Sequence, residues 1–125
     1  MFVDPAAPYD DSNIFARILR GEMPCTKVYE DEHALAFHDI APQAPTHVLV
    51  IPKRPYVSWD DFTARADDAE IAAFIRAVGR VARELGLVEQ GYRMMANIGR
   101  DGHQVVPHLH VHLFAGRPLG RMIAE

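Results

Sequence analysis

The stretch from His108 to Phe114 reads HLHVHLF, so three of the chain's seven histidines fall within five positions and alternate with Leu109, Val111 and Leu113. Imidazole titrates near neutral pH, ligates metals and attacks electrophilic phosphorus. In an extended strand successive side chains face opposite ways. His108, His110 and His112 would then share one face, about 6.5–7 Å apart at Cα, while the three aliphatic residues point into a core. Such a row could be a polar strand face populated by chance. It could be a zinc site, two alternate histidines sharing the ion with a third ligand. It could serve phosphoryl or nucleotidyl transfer, with one imidazole attacking and its neighbours orienting it, neutralising the phosphate and protonating the leaving group. The preceding segment, NIGRDGHQVVP from Asn97 to Pro107, favours the last. Its glycines let backbone N–H groups approach an anion, and Gln104 adds a neutral donor. No cysteine pair or evenly spaced acidic partners accompany the histidines as zinc ligation would ask. Close imidazoles cannot all be protonated, so one can stay neutral and nucleophilic while another is cationic, and a bell-shaped pH–rate profile is expected of the group.

The elements that must carry this row are readable around it. With 125 residues, 49% apolar and 24% charged, the chain should form one packed domain spanning residues 1–125. Residues 1–11 read as a loose N-terminal arm. DSNIFARILRGEMP offers capping residues followed by Ile14, Phe15, Ile18 and Leu19 at helical spacing. KVYEDEHALAFHDI reads as two strands around the turn Glu30–His33, and Thr46–Ile51 as a third strand bracketed by prolines. A long amphipathic helix is expected over DDAEIAAFIRAVGRVARELGL. Ile71, Phe74, Ile75, Val78, Val81, Ala82 and Leu85 lie on its apolar side, Arg76, Arg80 and Arg83 on a solvated one, and Gly86 caps it. GYRMMANI and VVPHLHVHLF complete the strands. The predicted class is α+β: an antiparallel sheet of about five strands with two helices on one side.

A net charge of −4 argues against a nucleic-acid-binding face but leaves room for one locally positive pocket. No apolar run is long enough to span a bilayer and none resembles a secretory signal, so neither membrane nor nucleic acid is an expected partner and a cytoplasmic location is. The single cysteine, Cys25, excludes an internal disulfide and reads as a small, semi-buried side chain. His33 and His103 read as surface residues.

HLHVHLF resembles the signature of the histidine-triad (HIT) superfamily. NIFARILRGEMP, VYEDEHALAFHDIAPQAPTHVLVIPK, GYRMMANIGRDGHQ and HLHVHLFAGRPLG all resemble its Hint branch, in order, from Asn13 to Gly120. The resemblance implies a two-helix α+β protomer and a homodimer whose sheets join into one. It implies a pocket for a purine nucleotide of the AMP type, no metal and no cofactor, and hydrolysis or transfer at the α-phosphate of purine nucleoside phosphoramidates or adenylates. By position, His110 resembles the nucleophile, His112 the group on the phosphate and leaving atom, and His108 the residue behind His110. His47, in PTHVLV, resembles a fourth histidine that supports the network. Ile14, Phe15, Ile18, Phe37 and Ile40 would sandwich the base, with His38 beside it. Taken alone, these apolar residues are equally readable as core. Asp39 would hold the ribose hydroxyls, whose two donors suit a carboxylate acceptor. Asn97, Gln104 and the backbone of Val105 would face the phosphate.

Two departures bear on activity. Val105 stands where the family carries a serine near the leaving group, and GRPLGRMIAE lacks the Trp-bearing tail of some Hint proteins. The third triad position is histidine, where related galactose-1-phosphate uridylyltransferases have glutamine, which implies a hydrolase. FAGRPLG lies closer to Hint than to the Fhit pattern. A dinucleoside polyphosphate hydrolase of Fhit type and a nucleotide-binding regulatory protein with vestigial catalysis are the alternatives, besides a zinc enzyme.

Overall fold

A computed structural model describes residues 1–123. The elements run α1 (Ile14–Leu19), β1 (Lys27–Glu30), β2 (Ala34–His38), β3 (Thr46–Pro52), α2 (Trp59–Arg65), α3 (Asp68–Glu84), β4 (Arg93–Met95) and β5 (Val111–Ala115). The five strands form one antiparallel sheet ordered β1-β2-β3-β5-β4, as the α+β expectation requires. Among the described residues no helix is long and apolar enough to cross a membrane.

Three expectations about the scaffold are corrected. Among the described residues the helices number three, because Ser58 accepts from the Asp61 amide and starts the short α2, and Asp67 then caps α3 separately. The helices also lie on both faces of the sheet. Strands β2 and β3 are buried on both sides, so alternate residues feed two cores. Ala34, Ala36, Val48, Val50, Val111 and Leu113 pack with Phe62 of α2 and Phe74, Val78 and Val81 of α3. Leu35, Phe37, Leu49 and Ile51 pack on the opposite face beneath Phe15 of α1. The final strand is shorter than expected: ladder pairing with β3 ends at Val50–Val111. His108–His110 continue as extended chain beyond it, tied by the Leu109 amide to the Tyr56 carbonyl at 2.8 Å.

The long helix ends as its sequence indicates. Gly86 adopts φ +71°, and the amides of Gly86 and Leu87 close back on the carbonyls of Arg83 and Ala82, a Schellman ending that a residue with Cβ adopts only at a cost. Arg76, Arg80 and Arg83 are exposed as expected, but so is Ile75, 42% accessible. Cys25 is exposed, not semi-buried, because its segment runs outside the sheet between α1 and β1.

The arm expected to be loose is held at several points. The Val3 amide donates to the Gln104 carbonyl at 2.9 Å, the Phe2 ring meets His103 edge-on at 4.8 Å, and Tyr9 reaches His108.

Candidate active site

Sheet register decides which histidines meet. Leu49 pairs with His112 and His47 with Phe114. Paired residues share a face, so His47, His112 and Phe114 stand together on the α1 side. His112 and Phe114 stack in parallel at 5.5 Å, and His47 lies 4.2 Å from Phe114. The alternation continues into the chain before β5. Leu109 is buried in the core with Phe62 and Phe74, while the rings of His110 and His112 approach to 5.0 Å. Phe15 meets His110 edge-on at 5.0 Å and Phe37 at 5.6 Å. α1 therefore presses the nucleophile candidate from above, with Asn13 as its N-cap accepting from the Ala16 amide.

The hydrogen-bond partners assign a tautomer to each ring. His108 Nε2 lies 2.9 Å from the Pro52 carbonyl. A carbonyl only accepts, so the proton sits on Nε2 and Nδ1 is left as acceptor, filled by the Tyr9 hydroxyl at 2.5 Å. His110 Nδ1 lies 2.8 Å from the His108 carbonyl, so Nδ1 carries the proton and Nε2 bears the lone pair. His47 Nδ1 accepts from the Gln43 amide at 3.1 Å, which leaves its proton on Nε2, directed at His112 Nδ1 2.9 Å away. His112 then keeps its own proton on Nε2. The same residue type appears as a lone pair at His110 and as an N–H at His112.

Burial holds all four rings toward neutrality. It takes His108 to about 4, and His112 to about 4 with added repulsion from His110 and His47. His110 and His47 are lowered for the same reason, with Asp39 partly opposing.

Asp39 follows β2. One of its oxygens accepts from the Ala41 amide at 2.8 Å and the other lies 3.5 Å from His47 Nε2. Asp39, His47 and His112 thus form the one cluster of metal-ligating donors found among the described residues. The direct hydrogen bond between its two histidines accounts for their approach without an ion.

The remaining predicted residues divide. Ile14 and Ile40 are exposed, at 44% and 100%, and Ile18 is half-buried, whereas Phe15 and Phe37 are core residues packed on each other. His38 pairs with Val48 and so lies on the α3 side of β2, opposite to Phe37. Gln104 does not present its side chain to a ligand. It is 1% exposed, its amide nitrogen donates to the carbonyls of Val57 and Val106, and its oxygen accepts from the Gly99 amide. Its polar atoms are consumed in pinning the glycine loop. Asn97 also serves the loop, donating to the Gly102 carbonyl at 2.6 Å. A Cβ at Gly102 would lie 2.4 Å from the Ile98 carbonyl oxygen, so this turn closes only over glycine. Val105 is 54% exposed, and its amide makes no hydrogen bond among the described residues. His33 and His103 are on the surface.

Sequence reasoning missed two members. Phe114 is the next residue on the histidine face and was findable from the two-residue period. Tyr9 lies 99 positions from His108, and no local pattern announces it.

A sheet with α1 laid over a row of neutral histidines in different tautomers defines a class, and comparison with known proteins agrees with it. The HIT domain family matches residues 20–119, and the chain belongs to that family. It is 66% identical over 120 residues to an uncharacterised 13.2 kDa HIT-like protein of Azospirillum brasilense, covering 96% of this chain and 98% of that one. It is 42% identical over 115 residues to the purine nucleoside phosphoramidase of Escherichia coli strain K12, covering 92% and 96%. Among solved structures, a histidine triad protein from Clostridium difficile superposes with TM-score 0.80 at 39% identity, over 93% of this chain and 100% of that one. A HIT family hydrolase from Clostridium thermocellum does so with TM-score 0.79 at 36% identity, over 91% and 98%.

Proposed function

We propose that the protein is a hydrolase acting at the α-phosphate of purine nucleoside phosphoramidates or adenylates, through a nucleotidyl group carried on His110. The observation that carries this reading is the 2.8 Å contact of His110 Nδ1 with the His108 carbonyl, which leaves Nε2 as a buried, neutral lone pair. The resemblance to the Escherichia coli phosphoramidase supports the substrate class.

In the first step His110 Nε2 attacks phosphorus and the bond from phosphorus to the leaving nitrogen breaks, its electron pair going to nitrogen. The nitrogen takes a proton from the His47–His112 pair, which must carry one more proton than in the free protein. The negative charge of the phosphate, with Asp39 3.5 Å from His47, favours that extra proton. In the second step water attacks phosphorus, its proton returns to the pair, the bond to Nε2 breaks and the nucleoside monophosphate leaves. Positioning and charge neutralisation at phosphorus carry most of the barrier lowering. The Val105 amide, unbonded among the described residues, is a backbone donor for the phosphate, Asp39 the acceptor for the ribose, and Ile14, Ile18 and Ile40 the apolar surface for a purine. Phe15 and Phe37 support that surface from beneath.

The same resemblance implies a homodimer, and β4 is an outer strand of the sheet to which a second copy can add. Val105, exposed and without a hydroxyl, favours one second reading, a nucleotide-binding protein with residual turnover only.

The test is release of AMP from adenosine 5′-phosphoramidate by chelator-treated protein, beside the His110→Ala variant. Turnover should survive the chelator and fall by about a thousandfold or more in the variant. Equal turnover in both would refute the assignment. Tight AMP binding with negligible wild-type turnover would select the second reading.

A further inference from the structure

The hydroxyl of Tyr9 has no place in the reaction as described, yet it makes one of the shortest contacts to the triad. It lies 2.5 Å from His108 Nδ1, and its ring meets the His108 ring edge-on at 5.6 Å. Asn13 Nδ2 donates to the same hydroxyl oxygen at 3.0 Å, so the hydroxyl proton is directed at His108. The His108 ring is 1% exposed and its other nitrogen is committed to the Pro52 carbonyl. The Tyr9 hydroxyl therefore fills the one remaining acceptor of a buried ring, which would otherwise stand unsatisfied. Tyr9 and Asn13 both lie outside residues 20–119, the span that matches the family.

We propose that Tyr9 is a positioning residue of the histidine site: its hydroxyl locks the tautomer and orientation of His108, whose main-chain carbonyl holds His110 Nδ1 and so directs the attacking Nε2. The arm supplies the clamp from outside the span matched by the family model. Asn13 couples it to α1, because its side-chain oxygen caps the helix that carries Phe15 onto His110. Tyr9 touches neither phosphorus nor leaving group in this arrangement and acts only through His108. Its protonated state is consistent with burial, which raises the phenol above its ordinary value.

The kinetic part of the test rests on the reading of His110 as nucleophile, so a spectroscopic part independent of activity accompanies it. The variant is Tyr9→Phe, which keeps the ring packed on His108 and removes only the donor. The nitrogen resonances of His108 are followed by long-range nitrogen–proton correlation, with the kcat and KM of adenosine 5′-phosphoramidate hydrolysis across pH. In the variant, Nδ1 of His108 should move downfield, toward an unbonded acceptor. The kcat should fall roughly tenfold, as small displacements of a nucleophile do, with KM within about twofold. The acid limb of the kcat profile should move to higher pH, since the vacated Nδ1 is free to take a proton. Fluorotyrosine at position 9 still donates and should retain wild-type kcat, which separates hydroxyl chemistry from the folding of the arm. An unmoved His108 resonance overturns the inference, whatever happens to kcat. So does a moved resonance with unchanged kcat and pH profile. If the wild-type protein fails to turn over the phosphoramidate, the function proposed above fails, and the resonance shift alone then decides whether Tyr9 orders His108.

Discussion

Replacing Gln104 separates two accounts of the glycine loop. If the side chain faced phosphate, Gln104→Leu would weaken substrate binding and leave the fold intact. In the structure it faces inward, with Nε2 at 2.7 Å from the Val57 carbonyl and 3.1 Å from the Val106 carbonyl, and Oε1 at 3.1 Å from the Gly99 amide. Leucine has similar volume, so little cavity is created. Three hydrogen bonds are lost and three backbone groups are left facing an apolar side chain. At about 0.5–1.5 kcal/mol for each net hydrogen bond, and more where the orphaned group stays buried, the destabilisation is about 2–4 kcal/mol. For a chain of this size that is a fall of about 1–2 M in the urea midpoint at unchanged slope. Urea unfolding followed by circular dichroism measures it directly. Because the glutamine ties the loop to the chain entering α2, kcat should fall as well, through displacement of the residues leading into His108. A midpoint within about 0.3 M of wild type, together with a raised KM for the nucleotide, would refute the inward role and restore the phosphate contact.

Stability should depend on pH through the buried histidines. His108 titrates near 4 in the folded protein, against 6.5 ordinarily. Between those values the unfolded chain binds the extra proton, so this stabilisation is complete above pH 6.5 and is lost as pH falls toward 4. For this ring alone that amounts to about 3 kcal/mol, and urea midpoints measured from pH 7.5 to 4.5 should decline; a flat series would contradict the neutral, buried assignment. Phe15→Ala removes a 7% exposed side chain that touches both Phe37 and His110. It should destabilise by about 3–4 kcal/mol and depress kcat beyond what the folded fraction explains. Unchanged kcat per folded molecule would show that α1 does not seat the nucleophile.

What could be read from the sequence followed from short periods. The two-residue pleat put His108, His110 and His112 on one face and Leu109, Val111 and Leu113 in the core, and it holds even where the ladder has ended. The helical period found α3, with Ile75 as the exception on its exposed flank. The α2 helix was missed although Ser58, Asp60, Asp61 and Arg65 mark its ends, because seven residues hold too few turns for a period to stand out. The placement of α1 on its own face could have been inferred from β2 and β3, whose unbroken apolar runs need cover on both sides. Gln104 shows a different limit. Its type and position fit a ligand contact as well as a loop tie, and only the distances to Val57, Val106 and Gly99 choose between them.

The three triad residues are identical in type, and nothing in HLHVHLF ranks them. Their differences come from main-chain groups, two of them brought from elsewhere in the chain. The Pro52 carbonyl at the end of β3 fixes the proton of His108, the His108 carbonyl fixes that of His110, and the Gln43 amide, acting through His47, fixes that of His112. Carbonyls and amides cannot exchange roles, so each assignment is one-directional and survives small movements of the rings. Burial keeps the imidazoles from resolving the competition by protonation. A lone pair at His110 beside an N–H at His112 is thus a property of the fold around the motif. The same seven residues in a strand without Pro52 and Gln43 at these distances would leave the protons of His108 and His112 unassigned.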